Sequence, residues 1–248
     1  MENKRLVYAF AHAGGSSVLY RKWKDRLKNC DSVELVAIDL PGRGSMVRQP
    51  AITDLTRLAK ILADQIHSDL VQRGREACSN WITFGHSFGG VLSFAVAKSM
   101  EELYGRCPLF SIVSGSLAPA IQTEDNLHTL SDEAILARLK SDNGTPTQIL
   151  EEPVLARRVI SHMRNDYEVR RQFTQMQHHK ASHPLLTLCG KDDQFVTPEM
   201  MGAWKNHTAS LIHQWEIPGG HFSVYNYLSL IMPLFLFSST QKTTPTVS

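Results

Sequence analysis

A chain of 248 residues can bury one sizeable core without being divided, so a single domain over residues 1–248 is expected. A formal net charge of +2 supplies no strongly basic face, which sets nucleic acid aside as a partner. The four cysteines, Cys30, Cys78, Cys107 and Cys189, stand far apart with no C-x-x-C pair, a pattern of reduced thiols and not of a disulfide framework.

The first apolar run, Leu6-Val7-Tyr8-Ala9-Phe10-Ala11, follows a charged end but stops at His12, too short for the core of a signal peptide. It reads as a strand, Arg5–Ala11, of a cytoplasmic protein. Val33–Asp39 follows, with Leu35-Val36-Ala37-Ile38 as continuous an apolar run as a buried parallel strand requires. From Leu55 to Val71, the residues Leu55, Leu58, Ala59, Leu62, Ile66 and Leu70 recur at helical spacing and predict an amphipathic helix. Further strands are expected at Trp81–Gly85, Leu109–Ser114, Leu185–Gly190 and Leu211–Ile217, with a helix from Val91 to Met100 between the first two. Strands alternating with helices predict an α/β fold with a mostly parallel sheet flanked by helices.

From about 117 to 182 the strand pattern stops and helical signals take over, with Ser131-Asp132-Glu133 opening one helix and Pro153 near the start of another. This reads as a helical insertion after the Leu109–Ser114 strand, placed to form a lid over the sheet's ligand-binding end. Tyr227 to Phe237 is strongly apolar, but it contains Pro233 and falls short of the ~20 residues that span a membrane; a final core helix is expected. The polar, Thr-rich stretch 241–248 is expected to fray.

Chemistry concentrates in Gly85-His86-Ser87-Phe88-Gly89, which stands between an expected strand and an expected helix. That is the setting of a G-x-S-x-G nucleophile elbow, where a sharp turn lifts the serine hydroxyl clear of the backbone. A serine needs a histidine to take its proton and an acid to orient that histidine. Lys191-Asp192-Asp193 follows one later strand and Pro218-Gly219-Gly220-His221 the next. The order Ser87, Asp193, His221 is that of α/β-hydrolases. Asp193, spaced Gly190-x-x-Asp, is chosen as the orienter, leaving Asp192 as a solvated neighbour. His12-Ala13-Gly14-Gly15, directly after the first strand, suits an oxyanion loop, with the Ala13 and Phe88 N–H groups as donors. His12 and His86 read as braces of their turns.

Together, Ala11-His12-Ala13-Gly14-Gly15, Asp39-Leu40-Pro41-Gly42-Arg43-Gly44, Gly85-His86-Ser87-Phe88-Gly89-Gly90, Gly190-Lys191-Asp192-Asp193 and Gly219-Gly220-His221-Phe222 resemble the stand-alone type II thioesterases that accompany non-ribosomal peptide and polyketide synthases. The resemblance runs from about Arg5 to Leu236. It departs from the family pattern at Ala11, where members often carry Pro. It implies hydrolysis of acyl groups from the phosphopantetheine arm of an acyl or peptidyl carrier protein, clearing mis-primed or stalled chains, with no metal or organic cofactor and no membrane association. An acyl-CoA or small-ester hydrolase on the same machinery is the nearest alternative, and an inert acyl-binding or scaffolding protein a further one.

Two charge clusters remain. His178-His179-x-x-x-His183 lacks a metal-ligand spacing with an acid or cysteine nearby. Arg157, Arg158, Arg164, Arg170 and Arg171 tint the insertion basic, suiting an acidic carrier protein; interleaved with Glu151, Glu152, Asp166 and Glu168, they read equally as a solvated helix face.

Overall fold

The alternating runs form parallel strands in the computed structural model, which describes residues 4–75, 80–123, 126–142 and 144–237. The strands are β1 (Arg5–Phe10), β2 (Val33–Ile38), β3 (Trp81–His86), β4 (Ser111–Ser114), β5 (Leu185–Gly190) and β6 (Leu211–Ile217), in the spatial order β2-β1-β3-β4-β5-β6, and every pairing is parallel. β5 and β6 have the expected ends, and each of the other strands shifts at one end by a residue or two. The largest change is at β4, where the exposed Leu109 lies ahead of the first ladder residue, Ser111.

Side-chain alternation sorts the strands onto two buried faces. In β1, Leu6, Tyr8 and Phe10 join one core cluster, while Val7 and Ala9 join the other. The first face is covered by α2 (Leu55–Gln72) and α3 (Phe88–Tyr104), the second by α1 (Arg21–Leu27) and α8 (Leu228–Phe235). The helical spacing predicted over 55–71 carries Leu58, Leu62 and Ile66 into the first core. The Asp54 carboxylate caps that helix by accepting from the Arg57 N–H at 2.7 Å. Two-sided burial explains why the strands read as apolar runs instead of alternating polar and apolar.

Between β4 and β5 run α4 (Asp132–Asp142), α5 (Thr147–Glu151) and α6 (Pro153–Arg171). Pro153 occupies the first turn of α6, and Glu152 caps it by accepting from the Leu155 N–H at 2.6 Å. Ile135, Leu139, Leu150, Ile160, Met163 and Tyr167 give these helices a small core of their own, against which Ala13 packs. The short α7 (Pro198–Met201) follows β5. Among the described residues no helix is long and apolar enough to cross a membrane, and the apolar stretch near the end forms the eight-residue α8. Cys30, Cys107 and Cys189 are free, whereas Cys78 and the stretch 241–248 lie outside the described residues.

The strand order reverses between β1 and β3. In open α/β sheets the crevice at such a switch point, beyond the carboxyl ends of the strands, is where ligands bind. Phe10 pairs with Gly85 in register, so the His12–Gly15 loop and Ser87 leave the sheet side by side.

Candidate active site

Ser87 sits where β3 turns into α3, with φ 55° and ψ −118°, a backbone conformation that a residue with a side chain holds only under strain. Its N–H donates to the Ser114 carbonyl at 2.7 Å. The flanking glycines answer to close packing: a Cβ on Gly85 would stand 1.9 Å from the Gly89 carbonyl oxygen, and one on Gly89 would stand 2.2 Å from that of Phe10. The strained turn is therefore pressed between β1 and the first turn of its own helix.

The loops after β5 and β6 bring Asp193 and His221 together. His221 Nδ1 lies 2.7 Å from Asp193 Oδ2, and the other carboxylate oxygen accepts from the N–H groups of Phe195 at 2.9 Å and Val196 at 3.0 Å. A carboxylate only accepts, so the proton resides on Nδ1 and Nε2 is left as the basic nitrogen. Asp193 is buried, while Asp192 is exposed, as expected of a solvated neighbour. Ser87, His221, Ala13 and Phe88 line one cavity of about 230 Å³. Phe88 opens α3, where an N–H has no partner within the helix. Among the described residues, none accepts a hydrogen bond from the Ala13 N–H.

His12 and His86 surround this arrangement without competing for its proton. His12 is buried with Nδ1 2.8 Å from the Tyr225 hydroxyl, and burial, with the nearby His221 and Arg43, pushes its pKa down to about 3. His86 Nδ1 lies 3.0 Å from the Ser114 hydroxyl, and burial, then His221 and His12, holds it well below the ordinary histidine value. Both imidazoles are neutral near pH 7. The His86 ring centroid lies 4.7 Å from that of His221 and so packs against the ring that Asp193 orients.

The fold agrees with the comparisons. The family description "Thioesterase domain" matches residues 5–229. This chain belongs to the thioesterase family. It is 30% identical over 227 residues to a probable cadicidin biosynthesis thioesterase of Streptomyces griseus, covering 92% of this chain and 60% of that longer protein. Among solved structures, it superposes on RedJ, a thioesterase from the prodiginine biosynthetic pathway of Streptomyces coelicolor, with a TM-score of 0.82 at 26% identity, covering 95% of this chain and 91% of that one. It also superposes on BorB, the type II thioesterase of the borrelidin biosynthetic cluster, with a TM-score of 0.81 at 26% identity, covering 95% and 93%. These relatives bear out the resemblance to type II thioesterases.

Three residues of this thioesterase have structural parts that sequence reasoning did not assign. Asp39, at the end of β2, accepts from the N–H and hydroxyl of both Ser17 and Ser45 at 2.8 to 3.0 Å, joining the loop after β1 to the loop after β2. Burial raises the pKa of that carboxyl, but those four hydrogen bonds outweigh burial and hold it below the usual value. Arg43 forms a buried, two-pronged ion pair with Asp166 of α6 at 2.6 and 2.7 Å. This corrects the reading of Asp166 as part of a solvated face, since it is only 2% exposed. The Asp-Leu-Pro-Gly-Arg-Gly stretch signalled the importance of Asp39 and Arg43 without revealing their partners, and nothing local distinguished Asp166 from the other charged residues of α6.

The remaining arginines divide. Arg164 is held by Asp132 at 2.5 Å and by the carbonyls of His128 and Leu130, and Arg171 is held by Glu168. Arg170 lines the Ser87 cavity, whereas Arg157 and Arg158 are exposed. Of the three clustered histidines, His183 is buried against the Ser111 hydroxyl at 2.8 Å. Among the described residues, no group of three His, Cys, Asp or Glu side chains is placed to hold a metal.

Proposed function

We propose that this chain is a serine thioesterase that removes acyl groups from the phosphopantetheine arm of carrier proteins, clearing mis-primed or stalled chains during non-ribosomal peptide or polyketide synthesis in the cytoplasm. The observation that carries the proposal is a strained Ser87 lining one cavity with a histidine whose Nδ1 is 2.7 Å from a buried carboxylate. The relatives named for cadicidin, prodiginine and borrelidin biosynthesis support the choice of pathway.

In this mechanism, Ser87 Oγ attacks the thioester carbonyl carbon while His221 Nε2 takes its proton, and Asp193 stabilises the resulting imidazolium. The Ala13 and Phe88 N–H groups receive the charge that develops on the oxygen. Collapse breaks the C–S bond, and the sulfur departs with the proton from His221; a thiol of pKa ~8.5 needs little help to leave. Water then attacks the acyl-enzyme, giving one proton to His221, which returns it to Ser87 as the free acid leaves. The helices α4 and α6 act as a lid, since Arg138, Asp142, Met163 and Tyr167 close the Ser87 cavity from above. A neighbouring apolar groove of about 600 Å³, bounded by Leu19, Ile149, Leu155 and Val159, shares His12 and Phe222 with that cavity and offers the arm a path to the serine.

Three measurements test this. Mass spectrometry after a fluorophosphonate probe should place one adduct on Ser87. Turnover of an acetylated carrier protein should exceed that of acetyl-CoA and of a nitrophenyl ester; a strong preference for the free esters would overturn the carrier assignment. Charge reversal of the exposed Arg157 and Arg158 should raise KM for the carrier substrate alone.

A further inference from the structure

The buried pair of Arg43 and Asp166 lies where three segments meet. Asp166 Oδ2 accepts from the Gly14 N–H at 2.7 Å as well as from Arg43 Nη1 at 2.7 Å, while Oδ1 accepts from Arg43 Nη2 at 2.6 Å. Arg43 Nη1 also donates to the Gly15 carbonyl at 3.0 Å. One turn earlier on α6, Met163 lies so close to Gly14 that a Cβ there would stand 2.9 Å from its Sδ. The residue that follows Ala13 is thus bonded and packed by α6, and the next is held by the loop that Asp39 anchors to Ser17.

Desolvating two charges makes a buried ion pair weak evidence for stability, and a well-packed apolar pair often serves as well. Its geometry is a different matter. Two prongs and a backbone N–H on one carboxylate fix the distance and angle between α6 and the loop to within a hydrogen bond. The Ala13 N–H belongs to the peptide just before the one so clamped.

We propose that Asp166 is a positioning residue, which sets the Ala13 N–H in place and makes assembly of the oxyanion hole depend on the seating of α6. The inference rests on the proposed role of Ala13 as an oxyanion donor. When α6 lifts away, the carboxylate leaves Gly14 and Arg43 together, so an open lid and a competent oxyanion hole exclude one another. Hydrolysis is thereby confined to substrates over which the helices have closed.

The test uses the full chain, with active sites titrated to completion by a fluorophosphonate and turnover measured per titrated site on a short acyl thioester of N-acetylcysteamine. Asp166→Ala should lower kcat per site by about 10²-fold, the cost of one displaced oxyanion donor, with KM changed less than about threefold. Asp166→Asn, which keeps an oxygen for Gly14, should recover about tenfold of that loss. The double variant Arg43→Met with Asp166→Leu, free of any unpaired buried charge, should melt near the wild-type temperature and still turn over slowly. A kcat per site within about threefold of wild type in these variants, with only the number of titratable sites or the melting temperature reduced, would make the pair purely structural and overturn the proposal. Failure of the serine thioesterase reading beneath it looks different: the wild-type chain itself would then carry no adduct on Ser87.

Discussion

Asp193 serves His221 with one carboxylate oxygen and its own loop with the other. Oδ2 lies 2.7 Å from the imidazole Nδ1, while Oδ1 accepts from the N–H groups of Phe195 and Val196. The oxygen facing the imidazole is therefore held by a backbone turn and not by side-chain packing alone.

This division separates catalysis from folding in one substitution. Asp193→Asn keeps an oxygen for the two backbone donors but no longer favours a proton on Nδ1. Its kcat is expected to fall about 10⁴-fold with little change in melting temperature. Asp193→Ala should match that loss and also melt lower, because the N–H groups of Phe195 and the buried Val196 lose their acceptor. Steady-state turnover and thermal unfolding of the pair decide the point; an Asn variant of near wild-type rate removes Asp193 from the mechanism.

Close packing beneath the serine makes Gly85 intolerant of any side chain. The 1.9 Å approach to the Gly89 carbonyl leaves no rotamer to relieve it, since both partners are backbone. Gly85→Ala should cost about 3 kcal/mol or more in urea unfolding, or yield no folded protein. A fully stable Ala variant would contradict the strand-to-helix geometry at Ser87.

Buried neutral histidines predict the direction of acid sensitivity. Burial, with His179 nearby, pushes the His183 pKa down to about 4, and His12 falls to about 3. The unfolded chain takes up these protons near pH 6.5, before the folded one does. The stabilisation is therefore complete above pH 6.5 and is lost as the pH falls towards the folded values. The drop in unfolding free energy from pH 7 to pH 5 should be smaller by about 2 kcal/mol in His183→Asn. An unchanged drop would show that His183 does not enter the folded state neutral.

The sequence by itself determined what depends on local pattern. Continuous apolar runs marked the strands, a helical spacing of leucines marked α2, and small residues around Ser87 marked the turn, because each is dictated by backbone geometry within a few residues. Order along the chain was enough to place Asp193 and His221 after successive strands, where the structure brings them to 2.7 Å. Only the tertiary structure decided which charges lose their water. Asp166 stands in a run of charged helix residues that reads as solvated, yet it is buried because the loop carrying Arg43, 123 positions away, crosses over it. Likewise, the link from His12 to Tyr225 spans 213 positions. Burial of a polar side chain and the partner that satisfies it are properties of the assembled surface around it, which no local periodicity encodes.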